Sequence, residues 1–160
     1  MVNITVKNTS LKKLMTSKSI SIADFVPKRR MGFMLVSQFS MIAYASAIEA
    51  LRHANYVSNR KIYEYETLSV DGNSVTASNG VTLEVKKSIK DLEKLDIVFV
   101  CSGIDVEKYA DSSAISQLRR LASHGSHLGA ICTGSYVLAK AGLLDGYRCT
   151  IHWENISRYQ

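Results

Sequence analysis

Short, almost continuously apolar runs alternate along this chain with stretches in which apolar residues recur every three or four positions. Arg30 to Val36 is apolar at nearly every position, as a strand buried on both faces of a parallel sheet must be. Leu95 to Cys101 has the same character and is the clearest buried strand, and His127 to Ile131 is a third. Met41, Tyr44, Ile48 and Leu51 form one stripe, which predicts a helix over 41–57 with Ser40 as its N-cap. That stripe belongs to the core or to a dimer face. Ile62 to Val70 reads as a strand that ends on the Asp71-Gly72 turn. Val75 to Val85 reads as a hairpin around Asn79-Gly80. Asp111 or Ser112 opens a helix that ends near His124-Gly125, a glycine cap. A further helix starts near Ser135 and closes at Gly142, and Arg148 to Ile151 is expected to form a short last strand. Strands alternating with helices predict an α/β sandwich with a mostly parallel sheet. Trp153 to Gln160 has the pattern of a helix start without a stop signal, so the chain is expected to be a fragment truncated toward its carboxyl end.

Composition narrows this picture. The chain has 160 residues, 46% of them hydrophobic, and a single proline, which fits one globular domain with a sizeable core. No apolar run reaches membrane-spanning length and no secretory leader opens the sequence, so a cytoplasmic protein without membrane contacts is expected. Cys101, Cys132 and Cys149 form no disulfide framework and are read as reduced thiols. His124 and His127 with Cys101 and Cys149 match no zinc spacing, so no metal site is expected. The net charge of +6 lies entirely in residues 1–30, where Lys7, Lys12, Lys13, Lys18, Lys28, Arg29 and Arg30 face Asp24 alone. We read residues 1–30 as a solvated basic extension and residues 31–160 as the domain, with the boundary near Pro27.

Candidate chemistry concentrates at Gly129-Ala130-Ile131-Cys132-Thr133-Gly134-Ser135. A cysteine between a strand and a helix, flanked by small residues, is the pattern of a nucleophile elbow. The turn sets the thiol at the carboxyl edge of the sheet, where open α/β folds bind ligands. The positive end of the following helix favours the thiolate. Ser102-Gly103 ends the preceding strand in a loop that brings backbone N–H groups near the same edge, and His152 ends the last predicted strand. Cys132 is weighed as a pocket-facing thiol against a buried small hydrophobe, and His152 stands evenly between a site base and a satisfied strand-end histidine.

With these pieces assembled, the chain resembles the PfpI-type branch of the class I glutamine amidotransferase-like fold. More narrowly, it resembles the amino-terminal domain of AraC-family transcriptional regulators of the GlxA kind. The resemblance rests on Gly32 to Leu35, Phe39 to Asn55, Ala77 to Gly80, the elbow, Ala141-Gly142-Leu143-Leu144-Asp145-Gly146 and Thr150-Ile151-His152-Trp153. It covers residues 31 to about 157. It implies a flavodoxin-like or Rossmann-like three-layer αβα sandwich that senses a small-molecule effector, forms a homodimer and needs no cofactor. DNA binding would then fall to a carboxy-terminal helix-turn-helix module, which this chain is expected to lack. The Phe39 to Glu49 segment is most similar to the subgroup that governs catabolism of arginine, choline, glycine betaine or carnitine, which implies an amine or an amino-acid-derived effector.

The resemblance also frames a catalytic alternative: a hydrolase, hydratase or glyoxalase-like enzyme with Cys132 as nucleophile and His152 as base. Such enzymes carry a carboxylate near the thiol, from the turn after the first strand. Ala43 occupies that position here, and Glu49 is about two turns too far along the helix to replace it, so Glu49 is expected in a surface salt bridge. The ligand-binding set implied is Gly103, Cys132, Thr133, His152 and Trp153, with backbone N–H groups for a carboxylate and the Trp153 ring face for a cationic nitrogen.

Overall fold

The computed structural model describes residues 29–92 and 94–151. The basic extension, apart from Arg29 and Arg30, lies outside the described residues, as do His152 and Trp153. The described chain runs β1 (Arg29–Leu35), α1 (Met41–Ser58), β2 (Tyr63–Ser69), β3 (Val75–Thr76), β4 (Thr82–Leu83), β5 (Lys87–Ser88), a 3-10 turn (Ile89–Asp91), β6 (Ile97–Cys101), α2 (Val106–Tyr109), α3 (Ser112–Ser123), β7 (His127–Ile131) and α4 (Gly134–Lys140).

Five strands form one sheet in the order β5-β2-β1-β6-β7, and every pair in it is parallel. β1 lies at the centre, aligned with β2 on one side (Phe33 opposite Thr67) and with β6 on the other (Phe33 opposite Phe99). Residues Met31 to Leu35 of β1 are all buried, which explains their unbroken apolar run. Their side chains alternate between two cores. Met34 packs with Val98, Val100, Leu118, Leu121 and Val137 on the face covered by α3 and α4. Phe33 and Leu35 pack with Tyr44, Phe39 and Cys101 on the face covered by α1 and the β3–β4 hairpin. Tyr44, Ile48, Leu51 and Met41 meet this second core, so the predicted stripe of α1 faces the sheet.

The punctuation residues explain the element ends. Asp111 accepts a hydrogen bond from the Ala114 N–H at 2.6 Å and caps α3. Gly125 (φ 84°) closes that helix, with Gly125 N–H donating to Ala122 O and Ser126 N–H to Leu121 O, the paired bonds of a left-handed glycine cap. Gly142 (φ 66°) closes α4 with the same pair of bonds. The hairpin is present with Gly80 at φ 86°, although its strands are only two residues each.

Two expectations change. Ser40 stands at the start of α1, yet its side chain makes no capping bond. Arg148 to Ile151 is not a strand: these residues lie beside α4, where Cys149, Thr150 and Ile151 face Ser135 and Ala139 across a cavity. They therefore take no place in the parallel ladder. Two short elements, β5 and α2, also carry too few residues to leave a periodic signal.

Candidate functional site

The carboxyl ends of β1, β6 and β7 converge on Cys132. The connections from β1 to β2 and from β6 to β7 cross on opposite faces of the sheet, which opens the edge between β1 and β6 as such sheets do at a switch point. The loops after β1 and β6 meet there and are laced together through the backbone. Val36 N–H donates to Cys101 O at 2.9 Å, Ser40 N–H to Ser102 O at 3.3 Å, and Ile104 N–H to Gln38 O at 3.1 Å. Gln38 itself is held at φ 63°. Gly103 is required by this lacing, because a Cβ there would strike the Gln38 carbonyl oxygen and lie 2.9 Å from Ser40 N.

Cys132 sits in the left-handed region at φ 57°, a conformation that costs a non-glycine residue about 1–2 kcal/mol. That strain identifies a true elbow: the chain leaves β7, reverses at Cys132 and enters α4. Gly134 permits the reversal, since a Cβ on it would meet the Val100 carbonyl of β6. Cys132 is half-buried, whereas Cys101 is buried and Cys149 exposed. Burial pushes the Cys101 thiol far above the usual cysteine range, and the nearby Cys132 adds to the shift. Cys101 is thus a neutral core thiol, and of these two neighbours only Cys132 is open to a ligand.

Because glycine adopts the left-handed conformation without penalty, Cys132→Gly is expected to be more stable than Cys132→Ala by about 1 kcal/mol. Urea unfolding of the two variants checks this. Equal stabilities would mean that the elbow relaxes once the thiol is removed.

The other expected site residues divide. Thr133 is buried and donates its hydroxyl to Gly103 O at 2.7 Å, so its side chain ties the elbow to the β6 loop. The Ser102 and Ser135 hydroxyls, which flank this joint, are buried without a hydrogen-bond partner among the described residues. No acidic residue stands in the first turn of α1, where Ala43 lies. Glu49 is exposed and paired with Arg52 at 2.6 Å, which holds its carboxyl below the usual range. It is the surface salt bridge that the sequence predicts.

Three of the cavities that open on the described surface lie away from the elbow. One, of about 450 Å³, lies at the amino edge beside Arg30, Lys61 and Lys86. Another, of about 340 Å³, is apolar and flanks α4 between Tyr136 and Leu144. The last, of about 430 Å³, lies at the carboxyl ends of β1 and β2, among Ser37, Asp71, Lys90 and Asp111. Sequence reasoning missed it, having read Asp71 only as a turn residue and Asp111 only as a cap.

This architecture has a family. The DJ-1/PfpI family model matches residues 29–159, and the chain belongs to that family. It is 42% identical over 129 residues to the HTH-type transcriptional regulator GbdR of Pseudomonas aeruginosa, a match that covers 81% of this chain and 35% of the regulator. It is 41% identical over 128 residues to the regulator GlxA of Rhizobium meliloti, covering 79% of this chain and 40% of GlxA. A crystal structure of an AraC family transcriptional regulator from Pseudomonas putida superposes with a TM-score of 0.73 at 31% identity, covering 81% of this chain and 70% of that one. A shorter match, 36% over 80 residues and 49% of this chain, is to 35% of an isonitrile hydratase of Pseudomonas putida. The chain thus spans well under half the length of these curated relatives. Among the described residues, no helix is long and apolar enough to cross a membrane.

Proposed function

We propose that this chain is the effector-sensing and dimerisation domain of an AraC-type transcriptional regulator, cytoplasmic and without catalysis of its own. The observation that carries this reading is the pairing of a preserved elbow at Cys132 with an α1 whose first turn offers no carboxylate. A catalytic thiol of this kind works with a base or acid partner beside it. The likeness to GbdR and GlxA at 41–42% identity supports the regulatory half of the reading.

In this reading a small amine or amino-acid-derived effector reaches the carboxyl edge, where Gly103, Cys132 and Thr133 form the floor, and His152 and Trp153 remain the further candidate ligand-binding residues from the sequence. Residues 31–160 would form the sensing unit and residues 1–30 a basic extension. Effector binding favours one dimer arrangement over another, and so biases DNA contacts made by a separate helix-turn-helix domain.

The second reading, a cysteine-dependent enzyme that uses Cys132 and His152, has the left-handed strain at Cys132 and the partial likeness to an isonitrile hydratase in its favour. Thermal-shift screening against betaines, carnitine, arginine and related amines tests sensing. A ligand at a hundred times its Kd stabilises by about 2.7 kcal/mol, so an effector in the panel gives a clear, saturating rise in Tm. A flat response across the panel would instead leave a dimerisation domain with a vestigial pocket.

A further inference from the structure

The cavity at the carboxyl ends of β1 and β2 is separate from the elbow and has a charge pattern of its own. Its volume of about 430 Å³ falls within the range of small-molecule sites, roughly 300–1,000 Å³. Its walls come from both faces of the sheet: Ser37 follows β1, Asp71 follows β2, Thr76 belongs to the hairpin, and Tyr109 and Asp111 join α2 to α3. Two carboxylates, Asp71 and Asp111, and one ammonium, Lys90, line it.

These charges are fixed in different ways. Asp71 accepts the Asn73 N–H at 3.0 Å and the Asn73 side-chain amide at 2.8 Å. Those bonds, the backbone one first, hold its carboxyl below the usual range. Asp111 commits Oδ1 to the Ala114 N–H, so its position is set by the helix it caps. Lys90 forms no ion pair among the described residues, although its backbone N–H is anchored to the Ser88 hydroxyl at 3.1 Å. The result is a pocket with two hydrogen-bonded carboxylates and one ammonium, edged by hydroxyls.

From this cavity and its charge inventory we infer that the domain binds a small zwitterion there, with its cationic nitrogen toward Asp71 and Asp111 and its carboxylate toward Lys90. The inference rests on the sensing reading and adds a second ligand site, on the opposite flank of β1 from the elbow. Such a ligand would bridge the start of α3 to the hairpin and the β1–α1 loop, which are already joined through Gln38 N–H and Thr76 O.

Calorimetric titration of the full chain with L-lysine, glycine betaine, cadaverine and hexanoate tests it. L-lysine is expected to saturate. Asp111→Asn keeps the cap, since asparagine caps as well as aspartate, and is expected to weaken L-lysine and cadaverine by about fivefold or more. Lys90→Gln should weaken L-lysine and glycine betaine by a similar factor and leave cadaverine unchanged. Glu49→Gln, on the exposed face of α1 and outside this cavity, should leave every affinity as it was. The inference is overturned if neither zwitterion binds saturably, or if binding ignores both Asp111→Asn and Lys90→Gln. Binding lost in Cys132→Ala but kept in Asp111→Asn would overturn it while retaining the sensing function at the elbow.

Discussion

Replacing Gly134 with alanine is expected to destabilise the domain by about 3 kcal/mol, a loss of about 10 °C in Tm. An ideal Cβ on Gly134 lies against the Val100 carbonyl oxygen and 2.9 Å from the Val100 carbonyl carbon. Both atoms are backbone of β6, a strand paired on both sides with β1 and β7. Neither can yield without breaking a ladder, so the start of α4 must move, and the elbow with it. Gly32 makes the contrast. A Cβ there would lie 2.5 Å from Leu95 Cδ1 and 2.8 Å from Leu68 Cδ1, and these are side-chain ends able to change rotamer. Gly32→Ala is therefore the milder change despite similar crowding. Urea denaturation of the two variants checks the ranking, and a Gly134→Ala protein as stable as the parent would show that α4 does not rest on β6 as described.

The second large effect is expected at Phe33. Its side chain is 1% exposed, stacks on Phe99 with ring centroids 5.5 Å apart, and meets the Tyr44 ring edge-on at 6.0 Å. Tyr44 also meets Phe39 edge-on and shares a 2.6 Å hydrogen bond between its hydroxyl and that of Thr67. Phe33 is thus the point at which β1, β6 and α1 meet. Phe33→Ala is expected to cost about 3–5 kcal/mol, near the upper end because neighbours on two strands and a helix cannot all collapse into the space. The loss should appear as a lower denaturation midpoint with an unchanged slope. A loss under about 1 kcal/mol would mean that the core refills easily.

Much of the fold was legible because buried parallel strands leave no polar face. Met31 to Leu35 and Ile97 to Cys101 read as strands for that reason, and Gly125 and Gly142 marked helix ends because only glycine takes those backbone angles freely. The Asn79-Gly80 turn was legible for the same cause. What escaped was short or assembled at a distance. β5 and α2 are held by tertiary contacts, too brief for any period to register. Arg148 to Ile151 has a strand-like composition, but the edge of a sheet, not propensity, decides whether such a segment pairs.

The site divides in the same way. The elbow was readable because strand, cysteine and glycine are adjacent in sequence, and the left-handed Cys132 bears out the turn. The cavity beside β1 was not, because Ser37, Asp71, Lys90 and Asp111 come from separate loops and each has a local structural use. Thr133 shows the converse: its place in the motif pointed to a ligand, while its hydroxyl serves the Gly103 carbonyl.

The central claim, a sensor in place of a catalyst, is tested most directly by turnover with and without the thiol. Wild-type chain and Cys132→Ala are incubated with dicarbonyl, amide and isonitrile substrates, and products are followed by mass spectrometry. The account predicts no product above the Cys132→Ala background for any substrate. Turnover by the wild type that disappears in Cys132→Ala would contradict it and make Cys132 a nucleophile.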